Sequence, residues 1–193
     1  MLFVSGDKLM DGDRSAAWEC MLAELRLLEN SDGDPILFHG TSSLRASLIL
    51  ADGFDPKTAW VPLPMPDGTL GGVNPCVFWT PKLEIAVARA VRHGGLSQGL
   101  PVILSARASD VAASGTPVPD YCMWEIDYQE DPARLPKDWM ESLKMLGAIA
   151  VLDCRRVAGL RLHAVAPLDH RPSPAMHDAA IGKMMAHTIP VAA

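Results

Sequence analysis

Residues 36–54 read ILFHGTSSLRASLILADGF, and the fold is decided by how this stretch is read. Residues 36–38 are a short apolar run, which predicts a buried strand. The run ends on His39. Gly40 follows and has no Cβ, so a second backbone or a ligand can come close to it. Thr41 or Ser42 can cap the helix that comes next. Leu44, Leu48 and Ala51 are expected on its inner face. Gly53 ends that helix at a position suited to left-handed backbone. A helix start beside a histidine offers free N–H groups and the positive end of a dipole to a polar or anionic ligand.

A second stretch, CVFWTPKLEIAVARA at 76–90, repeats the plan: an apolar strand, a threonine at its end, then a helix. Pro81 suits the first turn, and Gly94 is expected just past the helix end. Leu83, Ala86, Val87, Ala90 and Val91 form the apolar stripe. Phe78 and Trp79 fall on opposite faces of the strand. One must enter the core, which frees the other to offer a flat ring to a ligand.

Around these units the spacing predicts a packing helix over 13–30, with Trp18, Met21, Leu22, Leu25 and Leu28 on one face. Strands are expected at 101–108, 148–153 and 160–168, and a short helix at 135–146. Residues 54–75 hold four prolines after Pro56 and three glycines. They are expected to form a long loop, a kind of segment that is commonly functional. Strands and helices are mixed without regular alternation, which gives an α+β class. The expected organisation is an N-terminal helical arm at 1–34, one domain at 35–168 and a C-terminal tail at 169–193.

Charge and cysteine placement narrow the function classes. The 193 residues carry a net charge of −6. The basic residues are scattered, whereas a nucleic-acid surface needs them clustered, so nucleic acid is not an expected partner. Cys20, Cys76, Cys122 and Cys154 lie far apart with no C-x-x-C, which signals neither zinc nor a redox pair. Buried thiols in a reducing compartment, the cytoplasm, are expected. The N-terminus lacks the basic and apolar regions of a secretion signal, and no apolar run reaches the length of a membrane span. His163, His170, His177 and His187 show no metal-ligand spacing, and no metal is expected. His93, at the expected helix end, reads as a cation complementing the dipole.

Together the two units resemble the ADP-ribosyltransferase fold. That family carries a strand ending in His-Gly-Thr, a helix closing on glycine, and then an aromatic-x-Thr strand followed by an alanine-containing helix. Here these read FHGTSSLRASLILADGF and VFWTPKLEIAVARA. The look is nearest to the small rifampin ADP-ribosyltransferases, and the resemblance covers about residues 36–107. It implies a split sheet, preceded here by the N-terminal helix, and NAD as the substrate.

The resemblance also implies roles. His39 would hold a ribose hydroxyl of NAD, and the Gly40 backbone would meet the nicotinamide amide. Phe78 stands where the family commonly has a tyrosine stacked on the nicotinamide ring; stacking needs only the ring face. Thr41, Ser42 and Trp79 complete the expected binding set, with Arg45 and Lys57 placed for the diphosphate. Cleavage of the nicotinamide–ribose bond passes through an oxocarbenium-like centre, which a carboxylate commonly stabilises. In the family this is often a glutamate at the start of a late strand, but Gly147 and Ala148 stand there. Glu141 is the expected substitute, ahead of Glu125 and Asp110. The implied activity is ADP-ribosyl transfer to an acceptor the sequence does not identify, protein or small molecule, or NAD glycohydrolysis. Two alternatives stand beside it: a catalytically silent binding module of the same fold, and an RNA 2′-phosphotransferase.

Overall fold

A computed structural model describes residues 12–28, 33–56, 59–65, 69–97, 99–122 and 135–165. Lys57, Glu125 and the tail with His170, His177 and His187 lie outside the described residues. The elements run α1 (Gly12–Arg26), β1 (Ile36–Ser42), α2 (Ser43–Asp52), β2 (Trp60–Pro64), β3 (Leu70–Trp79), α3 (Leu83–Ser97), β4 (Pro101–Arg107), α4 (Ala108–Ala113), β5 (Thr116–Pro119), α5 (Trp139–Met145), β6 (Ile149–Leu152) and β7 (Arg161–His163). The class is α+β. One antiparallel sheet has the order β1-β4-β7 and the other β2-β3-β6-β5.

The two sheets meet at a reciprocal backbone pair. Phe38 N–H donates to Thr80 O at 2.7 Å, and Thr80 N–H donates to Phe38 O at 3.0 Å. Thr80 does more with its side chain: Oγ1 donates to Gly147 O at 2.6 Å and accepts from Lys82 N–H at 3.0 Å. One buried threonine thus ties the seam to the end of α5 and to the start of α3.

Strand alternation sorts the side chains at this seam. On β1, Leu37 joins the main core cluster, while Phe38 faces α1 and α3. On β3, Val77 and Trp79 enter the main cluster, while Cys76 and Phe78 pack with Val61, Tyr121 and Ala150. Helix α1 buries Trp18, Leu22 and Leu25 against Phe38, Leu83 and Ile103, so the expected arm packs onto the body of the domain. It stops at Arg26, and Leu27, outside its buried face, is 82% exposed.

Gly40 has a structural reason to be glycine. A Cβ there would overlap the Ala86 carbonyl oxygen and stand 2.6 Å from Ala90 N. The small residues Ala86 and Ala90 let α3 lie directly on the β1 backbone, at a distance where no side chain fits.

Several expectations are corrected. Part of the expected 54–75 loop is a hairpin, with β2 paired to the first half of β3. Its prolines misled the reading: β2 is an edge strand, where Pro62 and Pro64 need not donate to a second neighbour. The buried face of α2 carries Ala46 and Ile49, whereas Leu44 and Leu48 are only partly covered and Ala51 is exposed. Helix α3 continues through Gly94 and Gly95 to Ser97. Gly53 does end α2 at φ +89°, but with extended ψ, because its backbone lies against the Arg155 carbonyl, which accepts the Phe54 N–H at 2.6 Å.

Candidate functional site

A cavity of about 390 Å³ opens where the two sheets meet. His39 and Gly40 reach it from β1, Phe78 and Trp79 from β3, and Arg45 from α2. The hairpin adds Trp60, the segment after α2 adds Phe54 and Asp55, and the chain after β5 adds Asp120.

His39 is the best-defined group. Nδ1 lies 2.9 Å from the Phe78 carbonyl oxygen. A carbonyl only accepts, so Nδ1 carries the proton and donates, and Nε2 is left as an acceptor in the neutral ring. Burial, with Arg45 contributing, pushes the imidazole down to about 4 against the pull of the Phe78 hydrogen bond. At neutral pH this ring carries no charge, donates at Nδ1 and offers Nε2 as an acceptor. Two aromatic rings hold it: Phe54 edge-on at 5.4 Å and Trp79 tilted at 5.5 Å. Phe54 and Trp79 also touch each other, at 5.6 Å. The three rings form a closed cluster on the core side of the cavity.

Phe78 reaches the site in two ways. It meets His39 through its carbonyl, while its ring lines the cavity from the opposite face of β3. Trp79 is 1% exposed, and its indole N–H has no hydrogen-bond partner among the described residues.

Thr41 and Ser42 are buried and lie outside the cavity lining. Ser42 Oγ accepts the Arg45 N–H at 3.4 Å as the N-cap of α2. Alternation explains Thr41: it points with Leu37 into the interior, and its hydroxyl is unpaired there among the described residues.

Glu141 is also placed elsewhere. Its carboxylate accepts the Lys137 N–H at 2.7 Å, and its own N–H donates to the N-cap Asp138 at 2.8 Å. The spacing Asp138-x-x-Glu141 is that of a capping box. Asp110 lies on α4, also outside the lining.

Two carboxylates line the cavity: Asp55, just after α2, and Asp120, 4% exposed. The negative charge of Asp120, after burial itself, helps hold the neighbouring Cys76 thiol well above its usual range. Ser142 Oγ accepts the Asp120 N–H at 3.0 Å and donates to Ala148 O at 2.7 Å, so the aspartate's backbone is tied to α5 and to the approach to β6. Sequence reasoning missed Asp120 because it sat in a stretch, 109–147, without clear periodicity. The signal was a lone acid directly after the Thr116–Pro119 strand.

Phe54, Arg89, Arg92 and His93 were missed as well. The last three lie on the face of α3 that borders the cavity. His93 sits inside the helix, and burial with Arg45, His39, Arg89 and Arg92 around it pushes it down to about 3. It is a neutral ring and not the expected dipole-capping cation. His163 pairs with Ser105 Oγ at 2.8 Å across β4 and β7, away from the cavity. Among the described residues there is no cluster of potential metal ligands and no helix long and apolar enough to cross a membrane.

Comparison with protein families, curated proteins and solved structures found no match to this chain.

Proposed function

We propose that this cavity binds NAD and promotes cleavage of its nicotinamide–ribose bond, in ADP-ribosyl transfer or NAD glycohydrolysis, on an ADP-ribosyltransferase-like split sheet. The observation that carries the reading is the fixed tautomer of His39: a neutral imidazole whose Nδ1–H is engaged by Phe78 O, beside aromatic rings that border the same cavity. A ribose hydroxyl donates to Nε2, and a flat pyridinium ring finds aromatic faces at Phe78 and Trp60. The unpaired Trp79 N–H is residual polarity at the cavity wall of the kind a bound ligand satisfies.

In the reaction, the bond between the nicotinamide nitrogen and ribose C1′ breaks and nicotinamide leaves with the electron pair. Positive charge develops on C1′ and the ring oxygen. Asp120 takes the stabilising role that the sequence alone assigned to Glu141. Water or an acceptor then bonds to C1′ and gives up a proton.

A second reading, a silent NAD-binding module, draws support from the placement of Glu141 at a helix cap. One assay separates the two. Incubation with NAD is expected to release nicotinamide, and release is expected to vanish in His39→Ala. No release from the wild type, with saturable thermal stabilisation by NAD, selects the silent module. Neither release nor stabilisation overturns both.

A further inference from the structure

Helix α3 borders the cavity with a stripe of residues, from Ile85 through Arg89, Arg92 and His93 to Leu96. The eleven-residue rise from 85 to 96 spans about 16 Å. The stripe is apolar at Ile85 and Ala86 and turns cationic one turn later. Arg45 approaches from α2 and, like Arg89 and Arg92, acts electrostatically on His93. Burial lowers the Arg45 guanidinium, and the negative charge of Asp55 supports it. Asp55 is thus the acid already set against one arginine of the three. Arg89 is exposed and Arg92 partly so. Neither has an ion pair or side-chain hydrogen bond among the described residues. His93, neutral in their midst, adds no positive charge.

Two guanidinium groups three residues apart, without partners among the described residues, share the helix face that borders the cavity. They form forks that suit phosphate oxygens. We infer that Arg89 and Arg92, with Arg45 facing them from α2, form a diphosphate subsite that selects a dinucleotide over an uncharged nucleoside. The inference rests on the NAD reading for its orientation, with the nicotinamide end at His39 and the diphosphate along α3. It assigns the α3 arginines, which the sequence reading left aside.

The test uses the full chain and ligands that lack the scissile bond. ADP-ribose and adenosine are titrated calorimetrically into wild type, the double variant Arg89→Gln/Arg92→Gln, and Arg89→Lys/Arg92→Lys. Wild type is expected to bind ADP-ribose at least about tenfold more tightly than adenosine, with affinity falling as salt rises. The glutamine pair is expected to lose about tenfold or more for ADP-ribose and little for adenosine. The lysine pair, keeping charge but not the fork, is expected to fall between. A thermal melt checks that the variants fold, and the lysine pair keeps the test decisive if the glutamine pair does not.

Unchanged ADP-ribose affinity in the folded variants overturns the inference. So does tighter binding of a 2′-phosphorylated RNA oligonucleotide than of ADP-ribose. ADP-ribose binding is read without any cleavage. A wild type that binds it through these arginines yet releases no nicotinamide sinks the catalytic proposal alone.

Discussion

Ser142 holds Asp120 by the main chain: its hydroxyl accepts the aspartate's N–H at 3.0 Å while donating to Ala148 O at 2.7 Å. The serine is fully buried, so neither bond is exchanged with solvent. Ser142→Ala leaves a donor and an acceptor unsatisfied and is expected to cost about 1–3 kcal/mol. Urea unfolding measures the loss, and Ser142→Thr, which keeps the hydroxyl, is expected to recover part of it. If Asp120 is the stabilising carboxylate, Ser142→Ala also lowers nicotinamide release at saturating NAD.

Asp120→Asn tests that carboxylate directly. The amide nearly matches the acid in size but lacks its charge. A lost transition-state interaction lowers kcat and kcat/KM together, so nicotinamide release is expected to fall by about 10²-fold or more, the scale of one electrostatic stabiliser. NAD-dependent thermal stabilisation is expected to persist. Full activity in Asp120→Asn removes the residue from the proposal.

Gly40→Ala places a methyl group against the Ala86 backbone, where no flexible side chain can yield. Overpacking of this kind costs about 1–3 kcal/mol. Thermal melting is expected to shift downward even without ligand. An unchanged melting temperature contradicts the close approach of α3 to β1.

Stability is expected to decline in acid through the two cavity histidines. The unfolded chain protonates each imidazole near its ordinary value of 6.5, and the folded chain protonates His39 only at about 4 and His93 at about 3. Between those values the unfolded state binds more protons, so stability falls as pH falls. The contribution is complete above the unfolded value and is lost progressively down to the folded ones. Denaturation midpoints at a series of pH values, compared with His39→Gln, isolate one group: the variant is expected to show a shallower slope between pH 6.5 and 4. Equal slopes contradict the neutral, enclosed ring.

The two strand–helix units were legible because their punctuation is local. His39, Gly40, Gly53 and Thr80 stand at element ends, where residue type constrains backbone. Even there the reasons differed: Gly40 answers to a helix some fifty residues away, which shows only once α3 is in place. Glu141 misled because a helix cap and a catalytic acid leave the same letter in a sequence. Asp120 stayed hidden because its placement depends on Ser142 and on pairing between β5 and β6, contacts that no periodicity reports. The arginines of α3 were visible as letters, but α2 had to arrive opposite them before they became a cluster.

The seam between the sheets has a mechanical consequence. His39 is carried by one plate, one residue after Phe38, and Phe78 by the other, two residues before Thr80, so both stand beside the Phe38–Thr80 clasp. A molecule lodged against both grips two jaws at once, close to their pivot. A ligand bound as proposed would therefore brace the two sheets against each other beside the clasp that already joins them.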